Sequence, residues 1–403
     1  MIHPSWKAAL AGAAFSLSVP AAAQAADQGH IIIDSRLRFE SVEQDGFPQG
    51  AEALTWRTRL GYETPAFDGF RALGEIENVA AIGERYNNSY DGKPYPVVPD
   101  PAGTEINRAQ VSWAGSLGAG ASGEVVVGRQ RIILGDARFV GNSGFRQNEQ
   151  TFDAVRASLK PLKDVTFTYA YVGRVHRVFG HDSPQGEWHG ATHLMQADVK
   201  TPYGVLTGYG YLLEFDNAAA QSSATWGGRF AGAHPVGGGV SLTYEAEAAR
   251  QTDWRNSPAP FALTYLDLSA GLKTKKASAF VAYERLGGNG VRGFGTPLAT
   301  LHAFQGWADV FLTTPANGIR DVNGGGAYTF APAGPLKSLK LTAVYHDFTA
   351  DRGGAHLGHE IDAQLSAPLT PHLTADLIAA RFDGGQPAFA SRTKVWLSLE
   401  LKY

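Results

Sequence analysis

From Ile31 onward, apolar and polar residues exchange places at almost every step, in segments of roughly 10 to 13 residues. Val165, Phe167, Tyr169 and Tyr171 fall on one side of such a segment, with Thr166, Thr168, Ala170 and Val172 on the other. Val240, Leu242, Tyr244, Ala246 and Ala248 alternate in the same way with Ser241, Thr243, Glu245, Glu247 and Ala249. The final segment sets Val395, Leu397, Leu399, Leu401 and Tyr403 against Lys394, Trp396, Ser398, Glu400 and Lys402. Side chains at i and i+2 share a face only in a strand, so a period of two predicts strands with one apolar and one polar face. These segments exceed the usual length of about 5 or 6 residues and suffice to cross a bilayer at a tilt.

The connections fall into two alternating classes. Short ones, most built on Pro or Gly, occupy 64–69, 116–123, 160–164, 201–204, 234–239, 273–276, 331–338 and 368–372. Long ones occupy 42–52, 78–104, 135–150, 175–189, 216–222, 251–260, 287–318, 349–356 and 383–391. Eight short and nine long connections give eighteen strands with both termini on the short-turn side. The predicted fold is therefore all-β: a transmembrane antiparallel up-and-down barrel with short periplasmic turns and long extracellular loops. Of the 11 Lys after residue 25, eight lie in or beside the short turns. Trp56, Tyr62, Trp113, Tyr203, Trp226 and Tyr403 stand near strand ends, where barrels carry aromatic girdles.

The N-terminus has a different character. Lys7 precedes an apolar stretch, Ala8 to Val19, and Ala23-Gln24-Ala25 follows Pro20 as a small-x-small site. Residues 1–25 are expected to be a secretory signal peptide, and 26–403 the outer-membrane barrel. The apolar stretch is too short for an anchor helix. The chain has no Cys, so an exported product cannot rely on disulfides. A net charge of -3 and a pI near 6.5 argue against nucleic acid as a partner.

Most apparent catalytic patterns dissolve on inspection. Gly288-Asn289-Gly290-Val291-Arg292-Gly293 matches a dinucleotide fingerprint, but Phe294-Gly295-Thr296-Pro297 cannot open the required helix. His176, His181, His189 and His193 gather around one long loop without the spacing of a metal site. His181-Asp182-Ser183 are neighbours in sequence, whereas a triad needs convergence in space. No catalysis, cofactor or metal is expected. A barrel enzyme acting on lipid or surface polymer through this loop is the alternative.

The inward faces carry more information. Alternation puts Arg36 and Arg38 with Asp34 and Glu40, Arg57 and Arg59 with Glu63, and Arg71 with Glu75 and Glu77. Arg108, Arg129, Arg131, Arg156 and Arg174 follow, although Val125 and Val127 share the parity of Arg129 and Arg131. A charge on the lipid face costs about 2–4 kcal/mol near the midplane, so these residues are expected to face the lumen. Fourteen of the 23 Arg precede residue 180, while the later strands hold Glu245, Glu247, Asp267, Glu284, Glu360, Asp362 and Glu400. An arginine ladder suits anionic solutes, since the guanidinium fork matches carboxylates.

One stretch runs through Gly128-Arg129-Gln130, Leu134-Gly135-Asp136, Phe145-Arg146-Gln147-Asn148 and Thr151-Phe152-Asp153-Ala154-Val155-Arg156. Another runs from His302-Ala303-Phe304-Gln305-Gly306-Trp307-Ala308-Asp309 through Phe311-Leu312-Thr313-Thr314-Pro315 to Gly318-Ile319-Arg320-Asp321. Both resemble the alginate export family of outer-membrane porins. The resemblance implies a monomeric 18-stranded barrel, partly plugged by loops, whose arginine-lined constriction conducts alginate or related polyuronates. It marks Arg129, Asp136, Arg146, Asp153 and Arg156 as constriction residues. Expected partners are anionic saccharides or other small solutes, outer-membrane lipid with lipopolysaccharide, and the barrel-assembly machinery.

Overall fold

The computed structural model describes residues 28–331 and 338–403. The expected leader, and most of the 331–338 turn with Lys337, lie outside them. Eighteen strands follow one another. They are β1 (His30–Gln44), β2 (Ala51–Glu63), β3 (Phe70–Arg85), β4 (Gly103–Gly118), β5 (Ala121–Gln130) and β6 (Thr151–Leu162). Next come β7 (Val165–His176), β8 (Glu187–Thr201), β9 (Gly204–Leu213), β10 (Ser223–Gly237), β11 (Val240–Thr252) and β12 (Ala262–Lys273). The ring is completed by β13 (Ala277–Leu286), β14 (Ile319–Phe330), β15 (Leu339–Thr349), β16 (His356–Pro368), β17 (Leu373–Gly384) and β18 (Arg392–Lys402).

Each strand pairs antiparallel with its sequence neighbours, and β1 closes on β18. Along that seam Arg36 faces Glu400, Leu37 faces Leu399 and Phe39 faces Leu397. Ile33 and Tyr403 exchange both backbone hydrogen bonds, at 3.0 and 2.8 Å. Closure leaves no sheet edge, which is the condition for a β structure to sit in hydrocarbon. The apolar parity of each strand points outward: Leu37, Phe39, Trp56, Leu60, Val281, Ile361, Leu397 and Leu399 are all exposed. Trp56, Tyr62, Tyr203, Trp226 and Tyr403 are exposed as girdle residues should be. The fold is that of a bacterial outer-membrane barrel.

Two strand boundaries differ from expectation. The third strand continues past Asn78 to Arg85, because the β2–β3 ladder persists to the Glu52 and Arg85 pair. The fifth strand stops at Gln130, not near Gly135. From there the chain turns into the barrel.

The lumen is not the purely polar space that alternation suggested. Phe139 packs against Tyr209, Tyr211, Tyr265 and Phe294, and Phe311 packs against Phe348, Phe382 and Phe389. These rings join the wall to two long loops, residues 131–150 and 287–318, which fold inward and carry their own core. Sequence parity assigns each strand residue to one face, but it is silent about loop residues that come to rest inside.

Candidate functional site

The two inward loops are the stretches that carried the family resemblance, and they meet. Gly141 N donates to Leu298 O at 2.9 Å, and Gln150 Nε2 donates to both Gly141 O and Leu298 O at 2.8 and 2.9 Å. Arg138 Nε reaches Glu284 Oε1 at 2.6 Å, Nη1 reaches Thr296 Oγ1 at 3.2 Å, and Nη2 reaches Gln305 Oε1 at 3.2 Å. Phe145 stacks on His302 with centroids 3.5 Å apart. Arg146 pairs with Asp309, which also accepts from Lys394 Nζ at 2.7 Å and from His302 Nδ1 at 2.8 Å. Together the loops constrict the barrel.

The arginines of β1 and β2 hold this assembly to the wall. Arg36, Arg38, Arg57 and Arg59 all face inward, as expected, but all are buried. Arg36 donates to Gln147 Oε1 at 2.9 Å, to Gly144 O at 3.2 Å and to Arg146 O. Arg38 donates to Phe145 O at 2.5 Å and lies 4.3 Å over the Phe145 ring. Arg57 pairs with Asp34 and, at 3.0 Å, with Glu400. Arg59 pairs with Glu77 and reaches Gln147 O at 3.3 Å. An inward loop has carbonyl oxygens that no strand can satisfy, and the five-donor guanidinium is the side chain best able to do so. The expected open ladder is therefore a clamp.

Charge on this wall balances. Arg36, Arg38, Arg57, Arg59, Arg108, Arg131 and Arg146 interleave with Asp34, Glu40, Glu75, Glu77, Asp100, Glu149 and Glu400, seven of each. Burial would raise Glu149, but Arg131 and Arg59 outweigh it and hold this carboxylate well below its ordinary range. Asp309 behaves alike: burial opposes ionisation, and Lys394, His302 and Arg146 overcome it. His302 is pushed down, chiefly by burial, with Asp309 only partly offsetting the effect.

Guanidiniums partly open to the lumen include Arg108, Arg131 and Arg156 on this wall and Arg229, 15% exposed, on β10. Arg108 is 14% exposed and bonds Glu75 at 2.7 and 2.9 Å. Arg131 is 29% exposed and bonds Glu149. Arg156 is 24% exposed and bonds Glu124 at 3.0 Å and Gln130 at 3.3 Å. They lie on neighbouring stretches of β4, the start of the first inward loop, and β6. The acids of the opposite wall, Glu245, Glu247, Asp267, Glu284, Asp321, Glu360 and Asp362, are all buried. Glu360 and Asp362 face the tip of the second loop, whose Ala308 N–H donates to Glu360 Oε1 at 2.7 Å. Gly306 makes that approach possible: its φ is +82°, and a Cβ there would meet the Glu360 carboxylate at 2.5 Å.

Several expected positions are corrected. Arg129 and Asp153 do pair, Nε to Oδ1 at 2.8 Å, but on the outer face near the extracellular rim. Val126 and Gln130 are the buried residues of β5, so Arg129 shares the exposed side of Val125 and Val127. Asp153 shares that of Val155 and bonds His176 at 2.9 Å. Arg174 is turned outward by a bulge at Gly173, with Val172 and Val175 both buried on either side. Asp136 sits in the first inward loop, against the acids of β11. Arg138, Gln147, Glu149, Asp309 and Lys394 were not singled out. Four of these five lie in the inward loops, where alternation gives no signal.

The histidines of the 175–189 region do not converge. His181 meets Glu105 and Asp182, and His193 meets the Tyr169 hydroxyl at 2.8 Å. Ser183 Oγ accepts from Gln185 N at 3.1 Å. The Gly288 to Gly293 segment closes on itself as a turn, with Asn289 Oδ1 accepting from Val291 N and Arg292 N, each at 2.9 Å.

No family model and no curated protein matches the chain. Solved structures do. The Pseudomonas aeruginosa outer membrane protein OpdK, crystallised with vanillate, superposes with a TM-score of 0.72 at 12% identity, over 93% of this chain and 98% of that one. OccK9 (OpdG) of the same organism gives 0.71 at 13% identity, and OpdL gives 0.67 at 15%, each over 93% of this chain and 98% of that one. Likeness at this level shows the shared fold, an 18-stranded outer-membrane barrel.

Proposed function

We propose that the protein is a passive outer-membrane channel favouring small carboxylate-bearing solutes of the sugar-acid class. The observation that carries this reading is the contrast in exposure across the lumen. Arg108, Arg131 and Arg156 are partly open, whereas the acids of β11 to β16 are covered. A solute entering the constriction meets these guanidinium edges, with Glu124 the open carboxylate beside Arg156, and a planar fork of donors recognises a carboxylate in two-point fashion.

The resemblance to alginate export porins supports the sugar-acid class. The two loops hydrogen-bonded across the lumen favour short solutes over a long polymer. OpdK was crystallised with vanillate, itself a carboxylate. The alternative of a barrel enzyme draws no support from the separated His181 and Ser183 side chains. Residues 1–25 serve in this reading as an export leader, and the barrel functions as a monomer in lipopolysaccharide-containing membrane after insertion by the assembly machinery.

Liposome swelling tests the solute class. Proteoliposomes are expected to swell faster in glucuronate than in glucose of matched size, and the difference is expected to shrink when Arg108, Arg131 and Arg156 are replaced by Gln. Equal rates for the two sugars in the unmodified protein would overturn the proposal.

A further inference from the structure

The wall opposite the arginines gathers charges that the passage of an anion does not use. Asp136 of the first inward loop meets Glu245 and Glu247 of β11, with one carboxylate oxygen from each lying within 4.8 Å of the others. Asp267 stands directly across the β11–β12 ladder from Glu247, and Ser269 stands across from Glu245. The four strand residues face inward and are buried. Arg229 bonds Glu245 at 2.7 and 2.8 Å and lies 3.9 Å from Glu247. Arg138, the next guanidinium, is engaged by Glu284. Asp136, Glu245 and Glu247 thus gather where Arg229 is the bonded guanidinium and Arg138 acts on Asp136 from its pairing with Glu284, a crowding of like charges in the wall that a further cation would relieve.

A second, separate observation points to oxygen donors waiting for a partner. Ser269 is only 8% exposed, and its hydroxyl has no hydrogen-bond partner among the described residues. Glu247 Oε2 is also buried and accepts no hydrogen bond, although Oε1 accepts from the Tyr209 hydroxyl at 2.6 Å. A buried polar atom left in this state is destabilising. Both atoms lie on the same patch of wall as the carboxylate cluster.

We propose that a divalent cation of the Ca²⁺ type binds between Asp136, Glu245 and Glu247, with Asp267 and Ser269 adding oxygens to its shell. The donors are hard oxygens with no His or Cys, which suits Ca²⁺ and not Zn²⁺ or Cu²⁺. Ca²⁺ takes 6–8 oxygens at about 2.3–2.6 Å, so two oxygens on one ion can stand up to about 5 Å apart, and the cluster falls within that span. The carboxylate oxygens already bonded to Arg229 and Tyr209 keep a second lone pair for the ion. Such an ion fastens residue 136 to β11 while the arginines of β1 and β2 fasten residues 144–149, so the constriction loop is held at both ends.

Terbium luminescence tests the site independently of what the channel conducts. Tyr209 lies against Glu247, so exciting tyrosine in chelator-treated, detergent-solubilised protein is expected to give Tb³⁺ emission that saturates at one equivalent and is displaced by Ca²⁺. Asp136→Asn, in a loop that does not take part in barrel closure, is expected to weaken binding at least tenfold, and Glu245→Gln with Glu247→Gln to abolish it. A heat-modifiable gel band verifies that each variant is folded. Emission that does not saturate, or that persists unchanged in folded Asp136→Asn, overturns the proposal.

Discussion

Arg36 is the residue whose replacement best separates a clamp from an open ladder. It is fully buried and donates to Gln147 Oε1, Gly144 O and Arg146 O. Hydrogen bonds from charged groups are each worth about 1.5–3 kcal/mol, so three at the low end give about 4.5 kcal/mol in Arg36→Met. Arg57 is the direct cross-strand partner of Arg36, and removing one of two adjacent like charges returns about 1–2 kcal/mol. The net cost to loop docking is about 3 kcal/mol, roughly a hundredfold in the docked-to-released ratio. The barrel itself should persist, because the backbone pairs to Glu400 and Arg57 do not depend on the side chain. Single-channel recording of the variant in a planar bilayer is expected to show frequent excursions to a larger conductance that are rare in the unmodified protein. Arg36→Lys, which keeps one charged donor group, should be intermediate. A folded Arg36→Met channel with unchanged conductance and noise would refute the clamp.

Two further outcomes follow from the same loops. Gly306→Ala forces a side chain into a left-handed position at a cost of about 1–2 kcal/mol and against the Glu360 carboxylate, so the tip of the second loop should unseat. Trypsin cleavage at Arg292 in that loop is then expected to accelerate about tenfold, and unchanged protection would count against the latch. Glu149 and Asp309 are both held below the ordinary carboxylate range, so the docked loops bind protons less readily than released ones. Their stabilisation is complete above the unfolded value of about 4 and declines as pH falls through and below it. Current noise should therefore rise as pH falls, beginning with His302 as pH passes below its ordinary value of about 6.5 and steepening below about 4 as the two carboxylates protonate.

How far the fold was legible follows from the period of two. A strand residue in a closed barrel has only two destinations, lipid or lumen, and the cost of a charge in lipid decides between them. That is why the strand count, the alternation of short and long connections, and the inward placement of Arg36, Arg38, Arg57 and Arg59 agree with the structure. The same rule put Arg129 in the lumen on the cost of a charge in lipid, and there the competing signal, its shared parity with the exposed Val125 and Val127, prevailed near the extracellular rim. Arg174 escaped because the bulge at Gly173 shifts parity by one residue, which sequence does not announce. What the arginines do was also hidden. Their partners are backbone carbonyls of residues 144–147, supplied by a loop whose path depends on contacts with residues 298–309 more than a hundred positions away. Loop burial inside a barrel is a tertiary outcome with no local period.

The central claim is that partly open guanidiniums, not the covered acids, set what the lumen selects. A reversal potential measured across a KCl gradient in a planar bilayer addresses it directly. The unmodified channel is expected to prefer chloride, to lose that preference when Arg108, Arg131 and Arg156 become Gln, and to retain it in Arg129→Ala, whose side chain lies outside. A potassium preference in the unmodified channel, or a chloride preference untouched by the triple replacement, would contradict the account.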